Sequence, residues 1–483
     1  MKDEYPNQQD STTVTHAMAS STTAPLLYPS PSEAALQLQF VGKKISDVQA
    51  PAALIDLAVV KRNCRLMLET TTKLGVAFRA HVKTHKTTQL AKLQVGEDSQ
   101  SVKLVASTVS EIENLLPWLL ECKAEGKEVN VLYGIPVTPS AVPRLSAVAR
   151  ALGESSVGLF VDHPTHIKTL DNDAPDWPGQ IPVWMNVDIG YHREGVAAHS
   201  AQLADVAYAL TASTRTRLAG LYTHMGHSYS VGSPTEALEH MAHELQGLEE
   251  GAVEFLKIAG AHESKDANAQ KVILSLGATP TATSTQNLLE DTEGARKYRA
   301  MIDQINQSFA VELHAGVYPV MDMQQLATRA RPAQSPSNPT QSLLSFSDLG
   351  LRMLVEVASL YPDRGDKPEA LIAAGSIVLG REPCKSYPGW AVVSPWPQAS
   401  GPHYDPEGSQ TGWIVGRISQ EHGVLMWEGP TKHLRLLEIG EKLLVWPNHA
   451  CIAGVNVGWF LVVDSDTADP ERIVDVWVRW RGW

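Results

Sequence analysis

The stretch "VAFRAHVKTHKT", Val76–Thr87, sets two lysines, two histidines and an arginine into an otherwise apolar run. Read as a strand from Val76 to Lys83, its alternation puts Val76, Phe78, Ala80 and Val82 on one face and Ala77, Arg79, His81 and Lys83 on the other. An antiparallel strand with one wet face would alternate in the same way, so the segment alone does not choose between the two readings. Its neighbours decide. Seven more short β-branched runs follow: "VKLVAS" at Val102, "VNVLYGI" at Val129, "VGLFVD" at Val157, "IPVWMNVDIG" at Ile181, "RLAGLYTH" at Arg217, "VILSLGA" at Val272 and "AVELHAG" at Ala310. Helix-like stretches separate them, such as "STVSEIENLLPWLLECKAEG", where Ser110 and Glu113 open an apolar period of three and four residues. Eight strands alternating with helices over about 270 residues predict a (β/α)8 barrel in preference to an open doubly wound sheet. The apolar face of the first strand then meets the helices. Arg79, His81 and Lys83 point into the barrel, with Lys83 at the C-terminal mouth where such barrels carry their chemistry, while Lys86 falls past the strand end on the opposite parity.

Outside the barrel the chain changes character. "TRARPAQSPSNPTQS", Thr328–Ser342, is a Pro/Ser-rich connection or surface insertion. Nine of the twelve tryptophans then fall between Trp390 and Trp483, among short alternating segments such as "GWIVGRIS", "EKLLVW" and "RIVDVWVRW", which predicts an all-β second domain. The expected organisation is a disordered tail over residues 1–45, a barrel over 46–335 and a β-rich domain over 336–483. No 18 apolar residues run together, so no membrane span is expected. A net charge of −13 argues against nucleic acid or an anionic membrane as partner and leaves a small molecule. Cys64, Cys122, Cys384 and Cys451 are few for 483 residues, which fits a reducing compartment, the cytoplasm.

A lysine desolvated beside Arg79 and His81 is expected to supply the neutral amine that Schiff-base chemistry with a carbonyl needs. Other strand ends also carry polar groups: "DIGYHREGV" brings Arg193, and "LYTHMGHSY" brings Tyr222, His224 and Tyr229. The loops after strands seven and eight, where barrels often bind phosphate, offer Gly277, Ala278, Thr279, Gly316 and Tyr318 as backbone or hydroxyl donors, although most such triplets are plain turns. An imine-forming lysine facing a phosphate cradle suggests pyridoxal 5′-phosphate. In the second domain, "WPNHACIAG" spaces His449 and Cys451 so that a strand would point both to one side, as a zinc pair or as a satisfied histidine beside a buried cysteine. "SQEHG" offers Glu421 and His422 as supporting partners or as a polar turn.

In this order "RAHVKTHKT", "DIGYHREGV", "GLYTHMGHSY", "LGATPTA", "ISQEHG" and "WPNHAC" resemble the eukaryotic D-serine dehydratases, members of the alanine-racemase-like group of pyridoxal-phosphate enzymes that also includes D-threonine aldolase; the resemblance covers about residues 48 to 480. It implies that Lys83 carries the cofactor, that Tyr222, Tyr229, Gly277 and Ala278 contact it, and, by analogy with alanine racemase, that Arg193 meets its pyridine nitrogen. It further implies a zinc ion on His449 and Cys451, where related aldolases carry a carboxylate in place of the cysteine, and a homodimer. The implied reaction is β-elimination on a D-amino acid such as D-serine, giving pyruvate and ammonia. Two rivals are a retro-aldol cleavage and a pyridoxal-phosphate carrier without turnover, the second disfavoured because such carriers consist of the barrel only. The first 45 residues, Ala261–Gln270 and the segment after Thr328 look like additions to the family core.

Overall fold

The computed structural model describes residues 28–260, 271–396 and 403–483. Eight parallel strands close into a barrel in chain order: Ala77–His81, Ser101–Ala106, Glu128–Pro136, Val157–Val161, Ile181–Asn186, Thr216–Thr223, Ile273–Leu276 and Ala310–Ala315. The first and last pair directly, Ala77 with Glu312 and Arg79 with His314, which completes the ring. All eight strands lie where the alternation puts them. The one helix start named from the sequence moves by two residues: Thr108, not Ser110, caps Val109–Ala124, its Oγ1 accepting the Glu111 N–H at 3.1 Å.

Two apolar layers follow from the strand period of two. The outer one packs Ala80, Leu104, Val131, Leu159, Val183 and Leu274 against the helices. The inner one is a smaller cluster of Val105, Leu132, Phe160, Trp184 and Tyr222, so the barrel is filled and not a pore. Trp184 fits because glycines face it: a Cβ on Gly220 would stand 2.6 Å from its ring and one on Gly158 2.9 Å from its Nε1.

The second sheet has nine strands, and an extra pairing between Leu351–Tyr361 and Glu369–Ile372 closes six of them into a ring. The sheets cross the expected domain boundaries at one point. Ala52–Asp56, assigned from sequence to the barrel, lies in the second sheet, antiparallel to Leu351–Tyr361 and parallel to Trp459–Val463. Its burial on both faces explains this, since an edge of the closed barrel does not exist for it to join. The tail also needs correction. Residues 1–27 lie outside the described residues, as do 261–270, but Ser32 caps a helix Glu33–Phe40 and Leu36 is buried among Leu354, Leu461 and Val476. Among the described residues no helix is long and apolar enough to cross a membrane.

Candidate active site

Lys83 sits two residues past the first barrel strand and lines two adjoining cavities. The outer one, 790 Å³, lies between the barrel mouth and the second domain and also meets Ser107, Tyr229, Glu382, His449 and Cys451. The inner one, 260 Å³, reaches into the barrel and meets His81, Arg193, Tyr222, His224, Tyr229, Gly277, Ala278, Thr279, His314 and Gly316. A groove of 820 Å³ along helix Leu57–Lys73 is larger, but it is lined by charges of both signs and by none of these residues. Of the residues expected to hold the cofactor or the metal, the structure therefore gathers all but Tyr318 around two connected spaces.

Tyr318 is the exception. It is buried on the outside of the barrel, edge-on to Phe78 with ring centroids 5.5 Å apart, and packs in the cluster that contains Cys64. The eighth strand ends at Ala315, and the turn after it resets the alternation, so a hydroxyl expected at the mouth faces the helix Leu57–Lys73. Arg79 is also displaced from the role expected of it. It stands deeper than Lys83, paired with Glu312 at 2.6 Å, and exerts its charge on the barrel floor.

The second lysine of the motif is tied down. Lys86, at a left-handed φ of 53°, forms an ion pair with the wholly buried Glu111, whose other oxygen accepts the Ser107 N–H at 2.7 Å. Lys83 has no ion-pair partner among the described residues, and its loop is fixed from the other domain: Arg479 donates to the carbonyls of His85, Thr84 and Gly454, and Trp480 N–H to that of Lys86. The wall imidazoles are neutral. Burial, then the charges of Arg193 and Lys83, push His224 down to about 3, and burial followed by Lys83 pushes His81 well below its ordinary value. The His224 Nδ1–H donates to the Gly277 carbonyl at 2.9 Å.

Two features make the inner cavity suited to a phosphorylated ring. Gly277, at φ 146°, lies so close to the eighth strand that a Cβ would stand 2.2 Å from the His314 carbonyl oxygen, and Gly316 backs onto His81 in the same way at 3.3 Å. Gly277–Thr279 and Gly316 line the same space as Lys83, and Thr279 is buried. Glu244, wholly buried on helix Pro234–Ile258, supports this wall by accepting the Met225 N–H at 2.9 Å; burial pushes its carboxyl up to about 8.

His449 and Cys451 do not share a strand. Lys442–Pro447 ends before them, and a turn closed by the Ile452 and Ala453 N–H groups on the His449 carbonyl brings them together. That turn is braced by Asp322, whose buried carboxylate accepts Ala450 N–H at 2.8 Å, and by Asn448, which donates to the carbonyls of Glu382 and Gly389. Burial opposes charge on both members of the pair, yet their mutual hydrogen bond and attraction prevail, lifting His449 to about 9 and lowering Cys451. His449 Nδ1 is buried without a partner, so the donor set of one imidazole nitrogen and one thiolate fits a borderline metal such as zinc at an open site. Among the described residues no third His, Cys, Asp or Glu joins them. Glu421 and His422 are exposed in the hairpin after Gly412–Ile418, a polar turn.

Asp322, Glu244 and Arg479 were not legible as site residues, because each acts on backbone groups that carry no sequence signal. Residues 55–287 match the alanine racemase N-terminal domain and residues 350–463 the putative serine dehydratase domain. The chain is 32% identical over 457 residues to the D-serine dehydratase of Schizosaccharomyces pombe, covering 93% of this chain and 95% of that protein. It is 29% identical over 466 residues to the D-serine dehydratase of Saccharomyces cerevisiae, covering 92% and 99%. The D-threo-3-hydroxyaspartate dehydratase from Delftia sp. HT23 superposes with a TM-score of 0.69 at 24% identity, over 91% of this chain and all of that one. With nearly its whole length matched to the yeast proteins, the chain belongs to the D-serine dehydratase family.

Proposed function

We propose that this chain is a pyridoxal-phosphate-dependent lyase that eliminates the β-hydroxyl of D-serine or a related β-hydroxy D-amino acid, with zinc on His449 and Cys451. The observation that carries the reading is that Lys83 from the barrel and His449 and Cys451 from the second domain line one cavity. When bound, pyridoxal phosphate supplies an electron sink for charge at the substrate α-carbon, and zinc a Lewis acid for its β-oxygen.

The chain's own groups do the rest. Lys83 holds the cofactor, and its Nζ takes the α-proton from the one side it can reach, which selects the D-configuration. Gly277, Ala278, Thr279 and Gly316 would cradle the phosphate, Tyr222 and Tyr229 would confine the ring, and Arg193 would meet its nitrogen. Thr84 Oγ1, 3.1 Å from Cys451 Sγ, steadies the thiolate. Loss of the α-proton and of the β-hydroxyl from D-serine, followed by hydrolysis, gives pyruvate and ammonia. Ile135, Tyr191, Ile452 and Trp483 are apolar, exposed and on the rim of the outer cavity, which favours a second copy of the chain as the partner that shields it. Three buried thiols and no disulfide fit a cytoplasmic setting.

Solved forms of the Delftia enzyme include a histidine-to-alanine variant and, two positions along, a cysteine-to-alanine variant in the metal-free form, which supports the metal role of the His449 and Cys451 pair. Chelation is expected to abolish pyruvate formation from D-serine and to strip zinc from the protein, zinc to restore both, and Cys451→Ala to behave like the chelated enzyme. Full activity with no bound metal would remove zinc from the scheme. Glycine and acetaldehyde as the main products from D-threonine would replace elimination by aldol cleavage.

A further inference from the structure

The deep wall of the inner cavity carries an imidazole whose tautomer is fixed from below. Glu312 is wholly buried; burial alone would push its carboxyl up, but Arg79 Nε at 2.6 Å and Lys103 Nζ at 3.2 Å hold it below its ordinary value and ionised. A carboxylate only accepts, so the Ser275 hydroxyl, 3.0 Å from Oε1, donates its single proton there. Ser275 Oγ can then only accept from its other neighbour, His314 Nδ1 at 3.1 Å, and that nitrogen bears the hydrogen. The ring itself cannot turn freely, being stacked on Tyr222 with centroids 4.0 Å apart and planes 10° from parallel. Its other nitrogen, Nε2, is buried with no partner at hydrogen-bonding distance in a residue that lines the cavity, and the neighbouring Gly277 carbonyl already accepts the His224 Nδ1–H.

We infer that Ser275 and Glu312 are positioning residues that lock His314 as the Nδ1–H tautomer, so that Nε2 faces the cavity as a hydrogen-bond acceptor for a proton-bearing group of the bound cofactor or substrate. The identity of that group rests on the pyridoxal-phosphate reading. The tautomer does not, because the groups that set it all belong to the barrel.

The two are separated by following the ring nitrogens of His314 in full-length protein labelled with 15N-histidine, before and after adding pyridoxal phosphate, with His314→Gln identifying the signals. The hydrogen is expected on Nδ1 in both states, with the Nε2 resonance moving on cofactor addition. Ser275→Ala should redistribute the proton between the two nitrogens, weaken pyridoxal phosphate binding about tenfold and shift its visible absorbance, while Ser275→Thr, which keeps the hydroxyl, should restore the pattern. Should Ser275→Ala fail to fold, Glu312→Gln, which can donate to Ser275 and free its proton, is expected to mix the tautomers. A hydrogen on Nε2 in the parent protein, or a tautomer indifferent to both substitutions, would overturn the inference. Protein that shows the Nδ1–H form but makes no pyruvate from D-serine would keep it and reject the proposed activity.

Discussion

Arg79 and Lys83 stand on the same inward parity of one strand and its extension, four residues apart, and meet opposite surroundings. Arg79 is 1% exposed, bound to Glu312, to the Asn130 side chain at 2.7 Å and over the Trp184 ring at 4.8 Å. Lys83 opens onto two cavities with no ion partner among the described residues. A cation deep in a filled barrel must be neutralised, because an uncompensated buried charge costs several kcal/mol. At the mouth, where the side chain lines open cavities, no such partner has to be built for a cation. Depth along the barrel axis, and not parity, divides the paired cation from the one that lines a cavity.

The sharpest way to break this division is to remove the two lysines of the motif separately. Lys83→Ala is expected to lose the visible absorbance of bound pyridoxal phosphate and to slow pyruvate formation by about 10⁴-fold, whereas Lys86→Ala keeps both. The reverse result would show that the strand register assigned to the motif is wrong. Next in size is the floor. Glu312→Ala leaves Arg79 buried and unpaired and should lower stability by about 3–5 kcal/mol in urea unfolding; a loss below about 1 kcal/mol would mean the floor charges are not structural.

The last test concerns a buried acid on the wall between floor and mouth. The Glu244 carboxyl, raised by burial from 4.5 to about 8, stays protonated in the folded chain while the unfolded chain ionises. The unfolded state then binds fewer protons, so the stability contributed below pH 4.5 is lost as pH rises toward about 8. Glu244→Gln keeps the acceptor for the Met225 N–H and should flatten the fall in melting temperature across that window. An unchanged slope would assign the fall to other groups.

The eight barrel strands and the placement of Lys83 at the barrel mouth were legible because the period of two is local: each run shows its own inward face within six or eight residues. What escaped depends on partners far away in the chain. Nothing in "AALID" says that Ala52–Asp56 pairs with residues some 300 and 400 positions on, and nothing in "VYPVM" says that a turn sends Tyr318 outward. His449 and Cys451 were found as a spacing and, through the resemblance, as a pair, but the turn that joins them depends on Asp322, a residue from the end of the barrel region. Leu36 was hidden in a polar-looking tail because a single apolar anchor does not raise the hydropathy of its neighbours.

The placement of Ala52–Asp56 also sets the order of events on the ribosome. Leu54 finds one neighbour at Arg352 and the other only at Leu461, so the barrel is threaded as an insertion between the first strand of a sheet and the rest of that sheet. A nascent chain can close the barrel soon after residue 315, yet it carries an apolar strand with both edges open until Leu351–Tyr361 emerges and with one edge open until Trp459–Val463 does. Loss of the segment from Trp459 onward would therefore do more than remove Trp483 from the rim of the outer cavity. It would leave a finished barrel attached to an apolar strand with one edge open, a species suited to aggregation and to removal by quality control.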